Sequence, residues 1–169
     1  PYLLGGRFTA ADASAYGELS MNLIDPTTAA RLQQLAPLTY QWLLAIRDGR
    51  HRGSSGALTL SPALGPLLEI VMQTFVPLMA QNEGAYLRAR AAGETLFNEA
   101  AFDRGRALYG GELLGRPFRS VAKTFQVRVW RELCRQWREL DPAARGALET
   151  ILPDAHLLSG TGTAAESGD

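Results

Sequence analysis

Apolar positions recur at three- and four-residue spacing along most of the chain, and breaks bearing proline or glycine cut that pattern into helical lengths. Thr9-Ala10-Ala11-Asp12 has the form of a capping box, in which the Thr9 hydroxyl accepts from the Asp12 N–H and the Asp12 carboxylate accepts from the Thr9 N–H. Phe8 and Ala13 are spaced for a weak hydrophobic staple. The helix behind the box is expected to reach about Leu23. It carries Ala13, Tyr16, Leu19, Met21 and Leu23, separated by the small Ala11, Ala15, Gly17 and Ser20. With no broad charged face, it reads as a buried helix. Asp25-Pro26 caps a short helix over Thr27 to Gln34, and Pro37 opens another whose stripe of Leu35, Leu38, Trp42, Leu43 and Ile46 stops at Gly49.

The stretch 49–57 is rich in Gly, Arg and Ser and reads as an exposed linker between two helical halves. Ser61-Pro62 repeats the signal of a cap followed by proline. Beyond it Leu64, Leu67, Leu68, Val71, Phe75, Leu78 and Met79 form an apolar stripe that Pro77 is expected to kink without ending. Gly110-Gly111 separates two short apolar pieces, and Gly115-Arg116-Pro117 follows, so a small hairpin or irregular loop is expected near 108–118. Helical period then returns. Phe118, Ala122, Phe125, Val129 and Leu133 fall on one face, with Trp137 and Leu140 at its edge and Arg128, Arg131, Arg135 and Arg138 opposite. Asp141-Pro142 caps a last helix that Pro153 ends, and the polar, small-residue stretch 154–169 is expected to be a disordered tail. The fold class is therefore all-α, a helical bundle with a small hairpin, in a single domain over 1–153 whose helical parts are 1–48 and 61–152.

Length and charge narrow the function classes. A chain of 169 residues holds one ordinary domain, and 17 basic against 17 acidic residues leave no net field for nucleic acid. Lys123 is the one lysine among the basic residues, a bias that weakens any argument from arginine counts. The single cysteine, Cys134, excludes an internal disulfide and any CxxC motif, which suits a reducing, cytoplasmic setting. No run of about eighteen apolar residues and no secretory start is visible, so no membrane association is expected. The chain opens at Pro1 and enters a capped helix within a few residues, so it reads as a piece of a larger protein.

The segment Leu3-Leu4-Gly5-Gly6-Arg7-Phe8-Thr9-Ala10-Ala11-Asp12-Ala13-Ser14-Ala15-Tyr16-Gly17 closely resembles the loop and start of the central helix in the C-terminal domain of the glutathione S-transferase family. Ala36-Pro37-Leu38-Thr39-Tyr40-Gln41-Trp42-Leu43 is similar to that family's next helix. Together the two cover about Pro1 to Asp48, and from Ser61 to Leu140 the likeness is looser. The resemblance implies an all-α domain that helps wall the site for an apolar, electrophilic co-substrate. It also implies glutathione as co-substrate of the parent protein, bound mainly by a thioredoxin-like N-terminal domain that would be this chain's partner. That domain would supply the group activating the thiol, so no catalytic residue carries over. A homodimer is compatible with the resemblance. The alternative is a non-catalytic interaction or assembly module of the same fold.

Residue by residue, the chemistry on offer is modest. Thr9 and Asp12 are read as helix-capping residues, structural in role. Tyr16, Met21, Leu64 and Phe75 are the candidates for a hydrophobic pocket, although aromatic and methionine side chains at helical spacing more often build core. Cys134, in an apolar-periodic helix with no nearby histidine, reads as an inert small hydrophobe, and Arg131, Arg135 and Arg138 keep a nucleophile reading open. His51 and His156 have no partner at metal-ligand or triad spacing, so no metal site is expected. Glu132 and Glu139 straddle the arginines and invite ion pairs. The arginine face reads as solvated surface, because no aromatic residues are interleaved on it for stacking against bases.

Overall fold

The computed structural model describes residues 2–60 and 64–160. The chain divides into two compact units, Pro1–Leu64 and Gly65–Asp169.

In the first unit the capping box opens α1 (Ala10–Leu19), which tightens into a 3-10 turn over Ser20–Leu23. Asp25 caps α2 (Pro26–Leu35), its carboxylate accepting from the N–H groups of Thr27 at 2.7 Å and Thr28 at 3.1 Å. Proline at the first helical position then starts α3 (Pro37–Arg47). α2 packs on α3, whose Leu43 and Ile46 are buried. The expectation of a buried first helix is overturned: of α1's side chains only Asp12 is buried, and Met21 in the following turn is 64% exposed. The unit contributes too few helices to cover every face of α1.

The stretch 49–57, expected as an exposed linker, is instead tied into the first unit. Gly6 N–H donates to the Ala57 carbonyl at 3.0 Å and Thr59 N–H to the Leu4 carbonyl at 3.1 Å, while Phe8 N–H donates to the Ser54 hydroxyl at 2.9 Å. Where these strands cross, the backbones of Gly6 and Gly56 are so close that a Cβ on Gly56 would stand 2.7 Å from the Gly6 Cα. Only glycine fits there. The staple also differs from expectation, since the Phe8 ring lies against His51 at 4.5 Å and Tyr2 at 5.7 Å, and Ala13 is exposed.

The second unit is organised by α4 (Leu64–Ala91), which runs unbroken through Pro77 as expected. Its presumed Ser61-Pro62 cap lies outside the described residues. Asn98 caps a short α5 (Glu99–Asp103), which periodicity did not reveal. A hairpin follows, β1 (Leu108–Leu113) pairing antiparallel with β2 (Arg116–Val121), with Gly111 opposite Phe118. Leu114 and Gly115 both have positive φ, the backbone of a tight primed turn. α6 (Thr124–Glu139) and α7 (Pro142–Glu149, capped by Asp141) follow, so the described residues are mostly helical with one two-stranded sheet among them.

Two clusters hold this unit. Met72, Val76 and Met79 of α4 pack with Trp130, Cys134 and Trp137 of α6, and Ala85, Tyr109 and Ala122 join Tyr86, Phe97 and Phe118 beneath the hairpin. The buried face of α6 is thus Val127, Trp130, Cys134 and Trp137. Phe125, expected inside, is 70% exposed. A single apolar stripe could not show which of two apolar faces turns inward, and the heavier Trp-bearing one does. Arg131 and Arg138 therefore flank the buried face, while Arg128 and Arg135 lie further round on the exposed side. Within the expected tail, Ala155–Ser159 forms a 3-10 turn whose Ala155 and Leu158 are buried in the first cluster, so these residues are ordered by the Trp137 side of the core.

Candidate functional site

Asp12 is the most constrained polar group of the first unit. It is fully buried, and its carboxylate gathers three donors: the Leu3 N–H at 2.7 Å on one oxygen, with the Thr9 N–H at 2.9 Å and the Thr9 hydroxyl at 2.7 Å on the other. The box therefore does more than cap a helix. It pins the Leu3-Leu4-Gly5-Gly6 loop, nine residues upstream, to the first turn of α1, which spacing alone did not indicate. This is a positioning device with no free valence for chemistry, since all three donors are backbone or neighbouring hydroxyl.

Of the four pocket candidates, Tyr16, Met21 and Leu64 belong to the first unit and Phe75 to the second. Tyr16 is half-buried on α1 and Met21 is exposed just after it. Leu64 is the buried first residue of α4 and ends the first unit, whereas Phe75 packs against the Trp130 cluster of the second. None of the four lines the cleft along α6 or the one beside the hairpin. What does surround Met21 in sequence is a series of exposed apolar side chains, Ile24, Leu35 and Leu38, the last 79% exposed.

In the second unit two neighbouring side-chain amides grip backbone. Asn82, fully buried on α4, donates to the Lys123 carbonyl at 3.0 Å and accepts the Lys123 N–H at 2.8 Å. Gln81 does the same to Glu112 in β1, donating to its carbonyl and accepting its N–H, each at 2.9 Å. Gly111 beside it leaves room for the clamp, because a Cβ there would meet Gln81 Oε1 and the Phe118 ring, one of which would have to move. Each clamp imitates one rung of a β-ladder, so α4 fixes both the hairpin and the start of α6. Lone polar residues in an apolar stripe were the available signal, and the sequence reading passed over them.

The reactive candidates are quiet. Cys134 is buried in the core, and burial pushes its thiol up, opposed by the Arg138 charge and reinforced by Glu83. That is the reverse of what a nucleophilic thiolate needs. Arg131 Nε bonds Glu83 at 2.7 Å, joining α6 to α4. Arg135 forks onto Glu132, at 2.9 and 2.6 Å, and also reaches Glu139. Glu132 is thereby held at about 2, with the Arg135 bond first and the Gln136 bond second as causes. Along the outward face of α6 a shallow cleft of about 730 Å3 is lined by Phe125 and Val129 together with these paired charges. No group of three or more metal-ligating side chains occurs among the described residues. One helix among them, Leu64–Ala91, is long and apolar enough to cross a membrane by length and composition, and its Met72, Val76 and Met79 face is buried in the second unit.

Comparison with protein-family models, with curated proteins and with solved structures finds no match to this chain.

Proposed function

We propose that this chain is the C-terminal, co-substrate-binding part of a glutathione S-transferase-like protein, acting in conjugation or reduction of electrophiles by a thiol. One observation supports the reading above the others: the Leu-Leu-Gly-Gly loop is fastened to Asp12 at the head of a helix whose surroundings leave Met21, Ile24 and Leu38 uncovered. A helix built as the centre of a domain, and left bare, fits a partner made of further helices and a thioredoxin-like domain. In that arrangement the partner binds glutathione and lowers the barrier by presenting an activated thiolate, while this chain contributes apolar wall. Glutathione is then co-substrate of the parent protein, in the cytoplasm, and a homodimer is the natural assembly to test.

The chain as given should show no glutathione conjugation of a chlorinated aromatic, whereas a protein extended on the N-terminal side of Pro1 should show turnover saturable in glutathione. Failure of the extended protein to bind glutathione at all, with Met21 and Leu38 nevertheless protected from solvent, would favour the second reading, a non-catalytic assembly module. Exposed apolar surface alone serves both readings, so glutathione binding is what separates them.

A further inference from the structure

We propose that the second unit binds a small organic oxyanion, a carboxylate or phosphate carrying an apolar body, in the cleft between the end of α4 and the hairpin. This cleft, about 520 Å3, is lined by the guanidinium-bearing Arg88, Arg106 and Arg119, by Glu94, and by an apolar floor that includes Ala89 and Leu108. It is independent of the transferase reading, which concerns the first unit.

The charge balance is uneven. Arg106 is neutralised by Glu94, with Nη2 and Nε both near one carboxylate oxygen, at 2.8 and 2.9 Å. Arg88 and Arg119 have no ion pair or side-chain hydrogen bond among the described residues, which leaves two positive charges on one concave surface. Guanidinium groups in that state match carboxylate and phosphate oxygens, which they can bind in a two-pronged manner.

Local structure explains why both are left free. Arg88 lies in the last turns of α4, where a cation complements the helix dipole, but Arg90 serves that purpose equally and does not line the cleft. Arg119 stands opposite Gly110 in the hairpin register, so the cross-strand neighbour that would ordinarily pair with it has no side chain. A Cβ on Gly110 would meet only the Phe118 carbonyl oxygen, at 4.0 Å, and its φ is not positive, so neither crowding nor backbone conformation requires glycine there. The floor is made by Ala85 and Ala89, one helical turn of small residues, with Leu108, which shares Arg119's face of the hairpin. An occupant therefore meets charge at the rim and an apolar surface beneath it.

The test is calorimetric titration of the full chain with phenyl phosphate, benzoate, inorganic phosphate and the neutral benzyl alcohol. Phenyl phosphate or benzoate should bind, whichever is tighter naming the head group, and inorganic phosphate should bind more weakly because it cannot use the floor. Benzyl alcohol should not bind. Arg88→Gln and Arg119→Gln should each weaken binding by about tenfold, and Arg90→Gln should leave it unchanged. Gly110→Asp keeps both arginines and the hairpin, and by placing a carboxylate opposite Arg119 should weaken binding as strongly. The proposal is overturned if no anion binds, if inorganic phosphate binds as tightly as phenyl phosphate, or if binding survives the Arg88→Gln/Arg119→Gln double replacement.

Discussion

The two units are stabilised by different means. In the second, Trp130 and Trp137 anchor a cluster of methionine, valine and cysteine side chains, and Asn82 and Gln81 lock the surrounding backbone to it. In the first, α3 buries Leu43 and Ile46, and the order of the loops comes from backbone bonds to Asp12, Ser54 and Asp25 and from the Gly6–Gly56 crossing. Polar nodes define geometry without hiding apolar area, whereas an aromatic core does both. Hence the first unit has a well-specified entry loop while its Met21, Ile24, Leu35 and Leu38 stay uncovered, which is the surface the proposed partner would meet.

Deleting the anchor of the second core should break the comparison most strongly. Trp130→Ala removes a side chain that is 2% exposed and should cost about 3 to 5 kcal/mol. Hydrogen exchange read by segment is the measurement, with protection lost across α4 and α6. Loss of protection in α3 alone would show that the assignment of stability to the two units is wrong. Next comes Asn82→Ala, which strands the N–H and the carbonyl of Lys123 in the interior and should cost ~2 to 4 kcal/mol in a urea melt. Gln81→Ala makes the same cut at an exposed strand and should cost about 1 kcal/mol. Equal losses for the two amides would mean that burial does not set the worth of these clamps.

For the first unit the sharper variant is Asp12→Asn. One amide carries a single acceptor oxygen, so either the Leu3 N–H or the Thr9 pair must face an NH2 donor in a buried site. A loss of ~1 to 3 kcal/mol is expected, close to that of Asp12→Ala and larger than that of Thr9→Ala. A urea midpoint unchanged by Asp12→Asn would show that the loop is held by the Gly6–Gly56 crossing alone. That result would also remove the observation on which the proposed function rests.

Sequence punctuation and residue burial were not equally legible. Thr9-x-x-Asp12, Asp25-Pro26 and Asp141-Pro142 mark helix starts because capping depends on two or three adjacent residues, and each helix begins where its cap stands. The Gly110-Gly111 break likewise marks the hairpin. Which face turns inward depends on partners far along the chain, and there the reading failed: Phe125 and Val127 are both apolar, and only packing against Met72 and Val76 decides for the Val127, Trp130, Cys134 and Trp137 face. The same holds for Ser54, whose long-range bond to Phe8 turned an apparent linker into part of the first unit. Of the pocket candidates, Tyr16 and Met21 were placed by period alone, which carries no information on whether anything lies across from them. The arginines of the oxyanion cleft were invisible for a related reason, since Arg88 and Arg119 are 31 residues apart and meet only because α4 grips the hairpin.

The smallest effect separates two ways of holding a carboxylate in its charged form. In the first unit Asp25 lies below its ordinary value because the backbone N–H of Thr28, then that of Thr27, donates to it. In the second, Glu132 is held at about 2 by side chains, Arg135 before Gln136. Both groups have depressed folded-state values, so whatever stability they lend is present above the ordinary carboxylate range and is lost as pH falls through the folded value, for Glu132 between about 4.5 and about 2. Both are exposed to solvent, which leaves that contribution small. Arg135→Gln should return Glu132 toward the ordinary value without moving Asp25, and added salt should relax Glu132 more than Asp25, because a guanidinium's field is screened while a capping amide's bond is short and local. Carboxyl-carbon NMR titration of the two residues reads all of this in one sample. An ordinary midpoint for Glu132 in the unaltered protein would show that the Arg135–Glu132 fork does not persist in solution, and it would leave Arg135 to Glu139 alone.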